Sequence, residues 1–521
     1  MLRKIGNYFW TIRYLKPEQV FWRLGKKLGM NCALAGGVSR GQGQPRQIGV
    51  RELDHDDKFL ARFNAEELMV DRVTFLHESE SIRWEGEWHV ESRSHLWNFN
   101  LHYFEYLHPL AKAFMDTGDR KYLDKAVRMI RGWIAANPAN RGGDGWSAYT
   151  ISLRLTNWLG FLAAVGGALE DDFRADMEES MFCQYAHLSN HLEKDILGNH
   201  YFEDLKALVL CALHFRDEAF LPAALAEFRR ECREQILPDG MHFELSPMYH
   251  KIVLEGLLRV CIALRENGMT DESLEKMAKG MLDAAFTMEH GLSRTPLFND
   301  SGDNVAKSLG AICTAARRLG LTPARKTALP DGGYYFLEQG KWKLAVDAGG
   351  AGADYIPGHA HCDAMSFELF REGEPVLVNC GTYAYQCAER HYFRSTQAHN
   401  TVQIAGVEQS EIWSTFRLAR RSKTKVLAVS DSEISMEMTD YRGNSIRREI
   451  RLEVESLHII DRAEGLNLQS HLHGISEFEF TCTAPVTWSD AMYAPEYGQM
   501  RTIYQLTAED HNAIEWTIPL G

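Results

Sequence analysis

The apolar residues of this 521-residue chain change period once, near residue 325, and that change limits the architectures open to it. Between about 95 and 320 they recur at helical spacing. The segments read as helices are 101–115, 122–136, 151–168, 173–192, 202–215, 219–236, 246–266 and 273–288, with Gly, Pro, Asn and Asp in the connections. Successive helical hairpins with apolar faces on both sides must stack to bury them, which predicts a solenoid or an incomplete α/α toroid. After Pro330-Asp-Gly-Gly333 the texture becomes short alternating runs at 334–337, 342–347, 366–370, 375–378, 401–404, 425–429, 434–438, 446–454 and 457–461. Many strands with no helical pattern between them predict an antiparallel β-sandwich. The expected organisation is an N-terminal segment and linker over 1–55, a helical domain over 56–325 and a β domain over 326–521.

Net charge sets a second limit. With 57 Lys and Arg against 71 Asp and Glu, the chain carries −14, which argues against a nucleic-acid partner. An anionic substrate would need a locally positive cleft to overcome that field. Twelve Trp and nineteen Tyr offer flat faces for sugar rings, although burial ranks put most such residues in the core. The ten cysteines form no Cys-x-x-Cys pair, as expected of reduced thiols, and the first thirty residues show no secretory signal, so a cytoplasmic location is expected. That same segment interleaves Arg3, Lys4, Arg13, Lys16, Arg23, Lys26 and Lys27 with Tyr8, Phe9, Trp10, Tyr14, Phe21 and Trp22. It suits either peripheral contact with a membrane surface or packing on the protein's own acidic body.

Three stretches carry chemistry. His359 and His361 lie two apart in Gly358-His-Ala-His-Cys-Asp363, a spacing that on a strand turns both imidazoles to one face. Asn379-Cys-Gly-Thr382 and His399-Asn-Thr401 follow, and together they read as a metal site beside a catalytic imidazole. Gly198-Asn-His-Tyr-Phe-Glu203 opens a helix, where Asn199 can donate to a carboxylate or simply cap the helix. Tyr249 stands at the start of another helix, behind Pro247. Asn100, His102 and Arg154 on the helical side, and Tyr385, Arg394, Glu408 and Trp413 on the other, are candidate groove residues. For Arg154 a buried structural ion pair is the competing reading.

The order of a helical half, His-x-His and then His-Asn-Thr resembles the heparinase II/III-like polysaccharide lyases, over nearly the whole chain. The segment Tyr14-Leu-Lys-Pro-Glu-Gln19 is similar to that of bacterial members associated with surface-polysaccharide genes. The resemblance implies an α/α toroid followed by a β-sandwich, and β-elimination on a uronate-containing glycan. It assigns Asn199 to neutralising the uronate carboxylate, His200 to the base for one epimer, Tyr249 to the acid and His359 to the catalytic histidine. It makes His361, Asn379 and His399 the ligands of a structural zinc. The family usually has aspartate where this chain has Asn379, and an amide oxygen is a poor zinc ligand, so Cys380 or Asp363 would have to substitute. Two other readings keep the scaffold. A hydrolase would use a carboxylate pair drawn from Glu203, Asp204, Glu244, Asp363 and Glu368. A glycan-binding or assembly protein would use the groove without catalysis.

Overall fold

A computed structural model of the chain describes residues 2–139, 142–303 and 305–521. The N-terminus forms α1 (Leu2–Tyr14) and α2 (Pro17–Lys27), followed by an irregular stretch up to residue 50. The helical half then pairs successive elements. Leu107–Thr117 packs on Arg120–Ala136, Ala148–Val165 on Asp171–Leu188, Gly198–His214 on Leu221–Gln235, and Pro247–Glu266 on Glu272–Glu289. The first members of the last three pairs pack on one another as an inner layer. This explains their composition: along Gly198–His214 every residue except His200 is buried. The second members need only one apolar face, as on Arg120–Ala136.

Two features depart from the sequence reading of this half. The segment expected as one helix over 101–115 is two, His95–Tyr103 and Leu107–Thr117, because Phe104 takes a left-handed φ of 63° and its ring fills the core. A last helix, Leu309–Arg317, was not expected. Trp84, Trp97, Trp133 and Trp158 are fully buried, so much of the aromatic content builds the core. All ten cysteines are unpaired.

From Ala328 onward the chain forms one thirteen-stranded sheet and a separate hairpin, Ile412–Ser414/Arg417–Leu418, and the named strands pair antiparallel. The path of the sheet runs Lys423–Val429, Glu433–Thr439, Ser445–Leu452, Ser456–Gly474, Glu374–Leu377, Ser366–Arg371, Trp342–Asp347, Tyr334–Gln339 and Ala328–Leu329. Ser456–Gly474 and Gln499–Pro519 pair along most of their length, with a register break between Arg462 and Asn467. The first is far longer than the strand expected over 457–461 and the second was not expected at all, since their polar residues hide the alternation. Val346, Phe367 and Leu369 from one arm share a core with Ile434, Ile450, Ile459 and Trp516 from the other. No helix among the described residues is long and apolar enough to cross a membrane.

The two halves meet where the inner helices begin. Tyr334 and Asn299 both donate to the Leu245 carbonyl, just before Pro247–Glu266. Gln19 of α2 donates to the carbonyls of Ile196 and Tyr355, tying the entrance of Gly198–His214 to the loop before His359.

Candidate active site

Asn199 and Tyr249 stand in the first turns of neighbouring inner helices, so the chain has to turn sharply before each. Leu197 and Leu245 take left-handed φ values of 65° and 55°, and Gly198 takes 60°. Non-glycine residues held there are strained, which is a mark of functional sites. Glycine is required at 198, because a Cβ would fall 2.5 Å from Glu244 Oε1. That oxygen accepts the Asn199 backbone N–H at 2.8 Å, and the Asn199 amide donates to the same carboxylate at 3.0 and 3.2 Å. Ser246 caps the second helix by accepting the Tyr249 N–H.

The β half supplies His359, whose ring stacks on Tyr249 at 3.9 Å between centroids and whose Nε2 lies 3.3 Å from the Asn199 amide. Asn199, Tyr249 and His359 therefore share one site. His359 and His361 sit on a loop and not on a strand, so alternation is not what gathers them. Asp300 does that. Its carboxylate contacts His359 Nδ1 at 2.9 Å, His361 Nε2 at 2.8 Å, Thr382 Oγ1 at 3.3 Å and both terminal nitrogens of Arg390. Burial alone would raise its pKa, but the Arg390 charge and the two imidazole bonds outweigh burial and hold it well below the usual range. An ionised carboxylate only accepts, so His359 carries its proton on Nδ1 and His361 on Nε2. His359 Nε2 lies 3.3 Å from both the Asn199 amide and the Glu244 carboxylate, while His361 Nδ1 has no hydrogen-bond partner.

Burial pushes the Tyr249 phenol above its ordinary pKa, and the Tyr385 hydrogen bond only partly offsets this. Its hydroxyl is 2.7 Å from that of Tyr385, which is 2.7 Å from that of Tyr497. His200 is half-buried on the same helix as Asn199, with Nδ1 3.0 Å from Glu193 and its ring 4.4 Å from that of Tyr149. Burial lowers its pKa, but the Glu193 charge and hydrogen bond more than compensate, so the net direction is upward.

Six expected groove residues make their contacts elsewhere. Arg154 is fully buried and donates to Gln184 and to the carbonyls of His102 and Gly145, so it braces the helical core. Arg394, also fully buried, donates to the carbonyls of Ala360, Ser414 and Thr415 and so holds the His359 loop in place. Trp413 is turned toward α1, donating to Thr11 and packing 5.0 Å from Tyr8. His102 accepts from the Trp133 indole, and burial drops its pKa to about 3. It lines a separate cleft of about 960 Å³ with Trp88 and Asp144. Asn100 is half-buried and its amide donates to Leu96. Glu408 caps Thr396.

The donor set for a metal differs from the expected one. His361, Asp363 and His399 are buried and place ligand atoms within 4.8 Å of one another. His361 Nδ1 and both ring nitrogens of His399 lack normal hydrogen-bond partners. Asn379 uses its amide oxygen to accept the Asn400 N–H, and its Nδ2 cannot ligate. The carboxylate at 363 would supply the anionic donor that the amide at 379 lacks. Two imidazoles and a carboxylate, one imidazole oriented by Asp300 behind it, fit zinc.

Sequence reading missed Glu244 as a partner of Asn199, and also Asp300, Arg390 and Tyr497. Asp300 lies in Asn299-Asp-Ser-Gly-Asp303, which by composition is only a turn. The left-handed φ of 54° at Asn299 marks it structurally.

The heparinase II/III N-terminus model matches residues 51–319 and the heparinase II/III-like C-terminal model residues 321–513, and the chain belongs to this family. A heparin-sulfate lyase of Pedobacter heparinus is 23% identical over 62% of this chain and 54% of its own length. One of Bacteroides thetaiotaomicron is 23% identical over 66% of this chain and 57% of its own. The chain thus aligns with a little over half of these relatives. The crystal structure of heparinase III superposes with a TM-score of 0.70 at 16% identity, covering 93% of this chain and 87% of that one, a likeness of fold.

Proposed function

We propose that this protein is a polysaccharide lyase that cleaves a uronate-containing acidic glycan by β-elimination, in the metabolism of a bacterial capsule, O-antigen or exopolysaccharide. The observation that carries the reading is the stacking of Tyr249 on His359 beside the Asn199 amide. The C5 proton of a uronate is acidic only if its carboxylate charge is neutralised as the carbanion forms. Asn199 neutralises that carboxylate through its amide, beside the His359 ring. His200 takes the C5 proton on Nε2, its Nδ1–H held by Glu193. The C4–O4 bond breaks, a C4=C5 double bond forms, and Tyr249, kept protonated by burial, gives its proton to O4. The Tyr385 and Tyr497 hydroxyls form a path by which that proton returns.

Zinc held by His361, Asp363 and His399 would fix the loop that presents His359, a structural role. Hydrolysis is the weaker reading, because its candidate carboxylates are committed. Glu203 pairs with Lys206 and Glu368 with Arg294, Glu244 holds Asn199, and Asp204 and Asp363 accept backbone N–H groups.

The deciding experiment incubates the protein with a panel of uronate polymers and follows ultraviolet absorbance. New absorbance from the conjugated double bond is expected. New reducing ends without absorbance would mean hydrolysis, and binding with neither would leave a glycan-binding protein.

A further inference from the structure

Helices normally turn their apolar stripe inward, and α1 does the reverse. Ile5, Tyr8, Phe9 and Ile12 follow helical i, i+3, i+4, i+7 spacing and are 56–60% exposed. Phe21 and Leu24 on α2, and Leu28 just beyond it, continue the pattern at 55%, 58% and 80%. No other stretch of similar length concentrates as many exposed large apolar side chains among the described residues.

Beside them is a depression of about 560 Å³ lined by Arg23, Lys26, Lys27 and Arg417, with Leu24 at its edge and Asp195 the only carboxylate. Lys26 reaches that carboxylate at 3.5 Å, while Arg23 donates to its backbone carbonyl. Arg23 is depressed by burial first and then by the Arg417 charge, the situation of cations gathered without enough anions. Lys4, Arg13 and Lys27 make no ion pair among the described residues. In a chain of net charge −14 this concentration is local.

We propose that α1 and α2 form a docking surface for an anionic phospholipid bilayer, with the apolar side chains inserted at the interface and a headgroup phosphate seated among Arg23, Lys26, Lys27 and Arg417. Exposed apolar stripes flanked by cations are what interfacial helices use. A second copy of this chain suits the surface less, because it would bring the same cations against one another.

The docking helices also touch both sides of the candidate site. Gln19 and Arg23 bind the 195–196 backbone just ahead of Asn199. Thr11 and Tyr8 hold Trp413 on the hairpin Ile412–Ser414/Arg417–Leu418, whose turn places Phe416 5.2 Å from Tyr385. Docking would therefore set the groove close to the bilayer.

The test is co-sedimentation of the full chain with vesicles of phosphatidylcholine alone or mixed with phosphatidylglycerol, and it needs no glycan, so it stands or falls separately from the lyase reading. Preferential binding to the anionic vesicles is expected, weakening with salt. F9E/I12E and K26E/K27E should each reduce it at least tenfold, with thermal unfolding unchanged. No binding to anionic vesicles, binding that neither variant weakens, or a concentration-dependent dimer that F9E/I12E abolishes would overturn the proposal.

Discussion

Asp300 decides more of this site than any residue the sequence marks. It fixes the tautomers of His359 and His361 and balances Arg390, all from a fully buried position. Asp300→Asn leaves a buried guanidinium unpaired, which is expected to cost about 3–5 kcal/mol of stability, and turnover should fall with it. Thermal unfolding and initial rates on one preparation measure both. If Tyr249 is the acid, Tyr249→Phe should lower kcat by about 10²–10⁴-fold with unfolding unchanged. Base assignment has its own pH test. Glu193 raises the His200 pKa, and a base works only when unprotonated, so activity is lost as pH falls through that raised value. Glu193→Gln should move the acidic limb of the rate profile to lower pH. An unmoved limb would mean that another group takes the proton.

Elements deliver these residues through strained entrances. Gly198→Ala would put a methyl group against the Glu244 carboxylate at a left-handed φ. A loss of about 1–3 kcal/mol is expected, with Asn199 displaced and activity reduced, measurable by denaturant unfolding and steady-state rates. At this scale much was legible in sequence. The helices Arg120–Ala136 and Pro247–Glu266 and the strand Trp342–Asp347 fall within a few residues of their periodic patterns, because periodicity reports which face is buried. It fails at Phe104, where one left-handed residue breaks an unbroken pattern, and along Ser456–Gly474, where strand pairing overrides polar composition.

Across the molecule, buried histidines tie stability to pH. Burial lowers His108, His250 and His471 from 6.5 to about 4 and His473 to about 3. The unfolded chain binds protons at these residues below about 6.5 while the fold refuses them until about 4, so stability falls as pH drops through that window. Each contributes up to about 3 kcal/mol, and unfolding midpoints measured between those limits should descend steeply. Metal binding acts at the same scale. If His361, Asp363 and His399 hold zinc, chelation should lower the melting temperature, and Asp363→Asn should abolish both the metal and the chelator effect.

Sequence by itself determined the two textures, the change between them near residue 325, and the family to which the motifs at 199–200, 249, 359–361 and 399 point. Those are local properties: period, cap and short spacing are written in neighbouring residues. Tertiary structure alone decided which polar side chains reach the site. Asp300 meets His359 and Arg390 across 59 and 90 residues of chain, and Glu244 meets Asn199 across 45. It also sent Arg154 and Arg394 into the core. A charge placed on a helix or loop carries no local sign of its partner, since burial and pairing arise only when distant segments close around it.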